Sequence, residues 1–399
     1  MVNPKIKFRV LTLNNIAEEG LVRFPESRYI FESEMSNPDA ILLRSYKMHG
    51  IDLPDSVLAV ARAGAGVNNV PVEELSGLGV PVFNAPGANA NAVKELVIGA
   101  MLMSARNLSD AWDYVRKLDG DEEVLSREVE AGKKQYVGFE LPSRTLGVIG
   151  LGAIGVEVAN AGLSLGMRVM GYDPKITVQR AWQLSSGVQQ AANLDELFRH
   201  CDIVTTHVPL NEATRGLVNQ DRLKLLQKES IVLNFSREGI VDNKALIRLM
   251  DKGIVRNYIC DFPSPDLKDH PKVICFPHLG ASTFEAERNC AVMVVDNLRD
   301  FLENGNISHS VNMPEAKLSR TRPHRLSIAN ENVPSMVGQV STALAEQNIN
   351  IADMLNVSRG DVAYTLLDLD EPISSVTMSR ISSIEGILRV RILPRLDGV

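Results

Sequence analysis

The chain has no surplus of positive charge, no closely spaced cysteines and no apolar run long enough to cross a bilayer, and each absence removes a class of function. Its 42 lysines and arginines are outnumbered by 49 aspartates and glutamates, which gives a formal charge of -7 at pH 7. That balance favours solubility and offers no broad basic face to nucleic acid or anionic lipid. Four cysteines, Cys201, Cys260, Cys275 and Cys290, lack the short spacing of a zinc or dithiol motif, so reduced thiols and no metal centre are expected. Nowhere does the sequence offer about 18 uninterrupted apolar residues. The opening MVNPKIKFRVLTL has no long apolar region ahead of a small-residue cleavage site. A cytoplasmic protein that engages neither membrane nor nucleic acid is expected.

What is present is ample material for buried cores. A chain of 399 residues with 45% hydrophobic content is long enough for two to three domains. Short β-branched runs alternate with longer helical stretches, the pattern of a parallel sheet wrapped by helices, so the expected class is α/β. KIKFRVLTL, AILLRS, LAVARAGAG and VPVFNAPGANAN read as strands, each delivering polar or flexible residues at its C-terminal end. Ligands of open α/β sheets bind at those ends. A helical pattern follows from Glu95 to about Asn107, then a charged interval, RKLDGDEEVLSREVEAGKKQ, that reads as a surface connection. A second strand series opens at Arg144.

That series begins TLGVIGLGAIGVEVANAGLSLGMRVMGYDP. Gly150, Gly152 and Gly155 follow an apolar strand and precede a helix whose Val156, Ala159 and Leu163 share a face, and Asp173 closes the next strand. A glycine triplet alone is an ordinary tight turn. With strand, helix, second strand and acid in place, it becomes a dinucleotide site: the glycines admit a pyrophosphate, the helix N-terminus faces it, and the acid takes the ribose hydroxyls. Asp173 would repel a 2′-phosphate, so NAD is expected rather than NADP, although Lys175 and Arg180 lie close by in sequence.

The later strands DIVTTHVPL, SIVLNFSREGIVD, VRNYICDFPSPD and VICFPHLGAST again end in polar or turn residues. Arg237 follows one of them and His278 another. A guanidinium there suits bidentate binding of a carboxylate, a contact lysine could not reproduce. An imidazole suits removal of a hydroxyl proton as hydride leaves the same carbon.

GLGAIG with Asp173, HVPLNEATRGLVN, NFSREGIVD and PHLGAST, in that order, resemble the motifs of the NAD-dependent D-isomer-specific 2-hydroxyacid dehydrogenases. The resemblance covers nearly the whole chain. It implies two doubly wound parallel-sheet domains: a discontinuous substrate domain, residues 1–97 and 285–315, and a Rossmann NAD domain, residues 98–284. It further implies cofactor contacts from Gly150, Gly152, Ala153, Ile154, Gly155 and Asp173, from Val208, Pro209 and Thr214, from Phe235 and Ser236, and from Asp261, His278 and Gly280. Arg237 and His278 match the family's catalytic set, which also holds an acid within a segment ending Glu-Pro. Here that segment reads CDFPSPDLKDHP, without the Glu-Pro, and Asp266 is the nearest substitute, with Asp269 a weaker one. Such a carboxylate would fix the His278 tautomer and stabilise the imidazolium.

On the substrate side, Arg44-Ser45, with Lys47 nearby, resembles the phosphate-holding pair of members that oxidise 3-phosphoglycerate, the first step of serine biosynthesis. Backbone amides around Ala63 and Gly64 would bind the carboxylate alongside Arg237, and Asn84 and Asn89 would either hydrogen-bond the substrate or brace their loop. Residues 316–399 read as a Pro-containing basic linker and a unit, Arg325 to about Leu393, that divides as strand, helix, strand, strand, helix, strand and resembles an ACT module, an α+β unit that often binds amino acids between paired subunits. Asn330, Asn332 and Asn350 fall at positions of the ligand contacts in serine-inhibited relatives, with Asn330 replacing a histidine and Ser335 a glycine. L-serine or another amino acid is the expected ligand there, in a homodimer or homotetramer. Two other readings stay open: a dehydrogenase of glycerate or a phosphorylated four-carbon acid, and a non-catalytic NAD-sensing corepressor-like protein.

Overall fold

The computed structural model describes residues 7–395. The chain divides into two compact units, one holding the chain up to Asn89 and from Phe284 onward, the other running Ala90–Thr283. The first unit opens with a five-stranded parallel sheet. Its strands β1 (Phe8–Leu13), β2 (Tyr29–Glu32), β3 (Ala40–Leu43), β4 (Ala59–Arg62) and β5 (Val82–Phe83) lie in the order β2-β1-β3-β4-β5. β3 is buried along its whole length, as expected for a parallel strand covered on both faces. The two-residue β5 and the half-exposed β2 are the short edges.

The second unit carries seven parallel strands: β6 (Thr145–Ile149), β7 (Arg168–Tyr172), β8 (Gln189–Gln190), β9 (Ile203–Thr206), β10 (Ser230–Asn234), β11 (Val255–Cys260) and β12 (Val273–Cys275). They are ordered β12-β11-β10-β9-β6-β7-β8, so the order reverses beside β6. A crevice for a ligand opens outside the strand ends at such a switch point. Every residue of β6, β9 and β10 is buried, which explains why these segments read as continuous apolar runs. The charged interval after Arg116 differs from its reading as a plain connection. Glu122–Gly132 forms a helix because Asp121 caps it, accepting a hydrogen bond from the Val124 amide, and Glu122 and Glu123 complement its positive end.

The chain rejoins the first unit through the helix Phe284–Asn304, whose Ala286, Cys290, Ala291, Val294, Val295, Leu298, Phe301 and Leu302 form one buried stripe. The remaining strands, β13 (His324–Glu331), β14 (Ile351–Arg359), β15 (Val362–Leu369) and β16 (Ile387–Ile392), make an antiparallel sheet in the order β14-β15-β13-β16, with helices Met336–Ala345 and Ser375–Ser382 in the connections. The expected α/β class with a C-terminal α+β module is thus the observed architecture.

The stretch read as a linker is pinned by its backbone. Leu318 donates to Asn306 Oδ1 at 3.1 Å and Thr321 to Asp368 Oδ2 at 2.8 Å. The C-terminal module also terminates the 284–304 helix. Arg391 donates to the carbonyls of Phe301 and Leu302, Arg320 to that of Glu303, Arg325 to that of Asn304, and the Tyr364 hydroxyl to that of Gly305. A helix end leaves its last carbonyls without intrahelical donors, and here three arginines and a tyrosine supply them. Among the described residues no helix is long and apolar enough to cross a membrane.

Candidate active site

In the second unit β6 runs into Gly150, which adopts a left-handed φ of 90° and donates to the Tyr172 carbonyl at 2.8 Å. A Cβ there would crowd the His207 carbonyl, and a Cβ on Gly155 would collide with the carbonyl oxygen of Gly150. Both positions therefore require glycine. Gly152 heads the helix Ala153–Ser164 and has no atom near the place a side chain would occupy, which leaves free space at the helix N-terminus. That is the environment a pyrophosphate needs.

At the end of β7 the Asp173 carboxylate accepts from the Leu151 amide at 2.8 Å and from the Lys175 amide at 2.8 Å. Each oxygen keeps a further lone pair for a ribose hydroxyl. Asp173, Tyr172, Ile176, Val188 and Ala191 line a cavity of about 400 Å³. The residues present thus fit a dinucleotide. Asp173→Ala is expected to weaken NAD binding by about 1–3 kcal/mol, read by calorimetric titration, because charge-assisted hydrogen bonds are lost. An unchanged affinity would place the ribose contact elsewhere.

The ends of β10, β11 and β12 hold the second cluster. Asn234, buried in β10, accepts through Oδ1 from the Thr206 hydroxyl at 3.0 Å and from the Ser236 amide at 3.2 Å, and donates through Nδ2 to the Arg237 carbonyl at 2.9 Å. It fixes the turn that presents Arg237. The sequence reading passed over it, although an asparagine closing the apolar run SIVLN was a signal. The Arg237 guanidinium donates to the Ser236 carbonyl at 2.6 Å and pairs with no carboxylate among the described residues. Burial pulls its pKa below the ordinary arginine value.

Asp261, buried at the end of β11, accepts from the Gly280 amide at 2.9 Å through Oδ2, while its buried Oδ1 has no partner among the described residues. A carboxamide N–H of a nicotinamide ring would satisfy that oxygen. His278 is exposed, sits at a left-handed φ of 55°, and meets the Phe262 ring edge-on with centroids 5.2 Å apart. No carboxylate hydrogen-bonds its imidazole among the described residues. Asp266 is exposed and makes no hydrogen bond or ion pair with it among the described residues, and Asp269 pairs with Lys268. The structure therefore does not bring Asp266 to the histidine. Thr205 and His207 form a part-buried pair at 3.0 Å, and desolvation pulls the His207 pKa down to about 3, so this second histidine stays neutral.

The other expected cofactor positions have structural duties of their own. Thr214 donates to the Pro209 carbonyl at 2.5 Å and accepts from the Asn211 amide at 2.9 Å, closing the loop after Val208. Phe235 stacks on Phe276 with centroids 6.4 Å apart. Ala153 and Ile154 form the first turn of the helix that Gly152 opens.

In the first unit Arg44 follows β3. Its guanidinium makes an ion pair with Glu287 at 2.6 Å, and its carbonyl accepts from Arg62 Nε at 3.0 Å and Asn69 Nδ2 at 3.1 Å. The amides of Ser45 and Tyr46 donate to Asn14 Oδ1, so Asn14 organises this turn. Lys47 is exposed. The amides of Ala63 and Gly64 differ from their expected role as carboxylate donors: they already donate to the carbonyls of Leu43 at 2.7 Å and Arg62 at 2.8 Å. Asn84 Nδ2 donates to the Ala65 carbonyl at 2.6 Å and braces the loop, whereas Asn89 keeps a buried Oδ1 that is unpartnered among the described residues.

In the C-terminal module, Asn330 and Asn332 stand where β13 ends beside the start of β15. Asn350 precedes β14 and donates to Asp370 at the far end of the sheet. One chain does not gather the three asparagines.

A glycine-lined strand-to-helix turn with an acid closing the next strand, set at the switch point of a parallel sheet, defines a dinucleotide-binding α/β protein. The chain belongs to the D-isomer-specific 2-hydroxyacid dehydrogenase family, and its residues 98–280 match that family's NAD-binding domain. It is 30% identical over 359 residues to a D-3-phosphoglycerate dehydrogenase of Haemophilus influenzae, covering 86% of this chain and 83% of that one. It is 32% identical to the D-3-phosphoglycerate dehydrogenase of Methanocaldococcus jannaschii, covering 80% of this chain and 59% of the relative. The chain thus spans somewhat over half the length of several relatives that it matches. Among solved structures, NAD⁺-bound 3-phosphoglycerate dehydrogenase of Entamoeba histolytica is similar over 77% of this chain and 99% of its own, with a TM-score of 0.58 at 25% identity.

Proposed function

We propose that the protein is an NAD-dependent cytoplasmic oxidoreductase that oxidises 3-phosphoglycerate to 3-phosphohydroxypyruvate, the first step of the phosphorylated route to serine. The observation that carries this reading is Arg237, a half-buried guanidinium with no carboxylate partner among the described residues, fixed by Asn234 beside a dinucleotide cradle. A desolvated, unneutralised cation calls for an anionic ligand, and a 2-hydroxy acid supplies one. The chemistry that NAD would supply when bound is acceptance of the hydride from the substrate's C2. Arg237 holds the carboxylate and orients that carbon. His278 takes the hydroxyl proton, and the Phe262 ring against it restricts the imidazole. Asp173 and the Gly150–Gly155 turn hold the dinucleotide, and Asp261 fixes the loop carrying His278 through the Gly280 amide. The relatives named D-3-phosphoglycerate dehydrogenase support the choice of substrate.

Arg44 is the residue that would select the phosphate. Arg44→Ala should raise KM for 3-phosphoglycerate far more than for glycerate, with a loss of about 1 kcal/mol if water reaches the pair and about 2–5 kcal/mol if the pair is desolvated. Steady-state NADH assays on both substrates separate this from damage to folding, which would lower both efficiencies together. Equal losses would return glycerate to first place. The C-terminal module is proposed to bind an amino acid such as L-serine in a homo-oligomer. The separation of Asn350 from Asn330 and Asn332 within one sheet supports a site completed by a second copy.

A further inference from the structure

Glu287 stands in the first turn of the 284–304 helix, and its Oε2 lies 2.6 Å from Arg44 Nη1. We propose that Glu287 is a displaceable counter-ion of Arg44, holding the guanidinium until the phosphoryl group of the substrate takes its place, and that it thereby sets the preference between phosphorylated and unphosphorylated substrates. The proposal rests on the reading of Arg44 as the phosphate-binding residue. Both partners are part-exposed, 29% for Arg44 and 39% for Glu287. An ion pair in that setting changes an equilibrium by no more than about fivefold, so an incoming anion can break it. A phosphoryl group near neutral pH carries roughly -1.5 to -2 charge and three acceptor oxygens, against one charge and two oxygens on the carboxylate. It matches the guanidinium fork better and repels Glu287.

The backbone around this exchange is fixed, which confines the change to side chains. The Arg44 carbonyl is held by Arg62 and Asn69, and the next two amides by Asn14. At its other end the helix bearing Glu287 is tied by Arg325 and Arg391. The Glu287 carboxyl titrates below its ordinary range because Arg44 hydrogen-bonds it, so it remains charged and competes at neutral pH. Such a counter-ion has a use in this chemistry. The product carries the same phosphate as the substrate, and a bare guanidinium would retain both.

The sign of the effect distinguishes competition from positioning. Glu287→Gln keeps the shape but removes the competing charge, and Glu287→Ala removes the hydrogen bond as well. Catalytic efficiencies on 3-phosphoglycerate and glycerate would be compared in the wild type, both variants and Arg44→Ala, with thermal melts to check folding. Inorganic phosphate would serve as a competitive inhibitor. The expected result is a rise of about two- to fivefold in the phosphorylated-over-unphosphorylated efficiency ratio, of the order set by losing one part-exposed charge pair, with tighter inhibition by phosphate. An unchanged or lower ratio in both Glu287 variants overturns the proposal, since a residue that merely positions Arg44 would weaken phosphate binding when removed. If Arg44→Ala itself leaves the ratio unchanged, the phosphate assignment has failed. A normal Arg44 effect beside an unmoved Glu287 ratio defeats the counter-ion role alone.

Discussion

Replacing His278 with alanine is expected to lower turnover about 100- to 10,000-fold while NAD affinity stays close to the wild type's, because a positioned proton acceptor contributes that much to rate and the dinucleotide is held by other residues. The backbone at His278 is left-handed, a conformation alanine resists and asparagine tolerates. His278→Asn is therefore the cleaner variant: it keeps the loop geometry but offers no basic nitrogen. Both variants should lose kcat by similar factors in an NADH assay, and calorimetry should find dinucleotide binding retained. Turnover near wild type in the asparagine variant would remove His278 from the proton step. A large loss confined to the alanine variant would trace the effect to loop strain rather than chemistry.

The largest expected loss of stability comes from the C-terminal module. Arg325 and Asp368 are fully buried and pair in a fork, Nε to Oδ1 at 2.5 Å and Nη2 to Oδ2 at 2.9 Å. Arg325→Met should cost about 3–5 kcal/mol, since it strands a buried carboxylate. It also strips donors from the carbonyls of Asn304 and Leu318. The double variant Arg325→Met with Asp368→Leu should recover much of the loss in urea unfolding, because two apolar side chains replace two charges. A single-variant loss under about 1 kcal/mol would mean that water reaches the site.

The pair also predicts an acid limb. Burial alone would raise the Asp368 pKa, but hydrogen bonds from Arg325 and the Thr321 amide outweigh it and hold the carboxyl below its ordinary value. A carboxyl depressed on folding contributes stability that is present above its unfolded pKa and is lost as pH falls through the folded one. The double variant should lack that part of the wild type's acid sensitivity.

What the sequence carried by itself was whatever depends on neighbours along the chain. Gly150, Gly152 and Gly155 lie within one turn, Asp173 ends the adjoining strand, and buried parallel strands announce themselves as short apolar runs because both faces are covered. The strand, helix, strand, strand, helix, strand order of the tail was legible for the same reason. The helix Glu122–Gly132 was missed because its charged, weakly apolar residues give little periodic signal, and only the cap at Asp121 marks its start. Tertiary structure alone decided the rest. It engaged the amides of Ala63 and Gly64 with carbonyls, left Asp266 exposed, put Asn350 at the opposite end of the sheet from Asn330, and joined Arg44 to Glu287 across most of the chain. It also turned arginines of a distant module into caps for the helix that carries Glu287. The physical reason is that backbone conformation and burial follow from local sterics and hydrophobic spacing, whereas the partner of a charge or a hydrogen-bonding group is whatever group the packed elements place within about 3 Å of it.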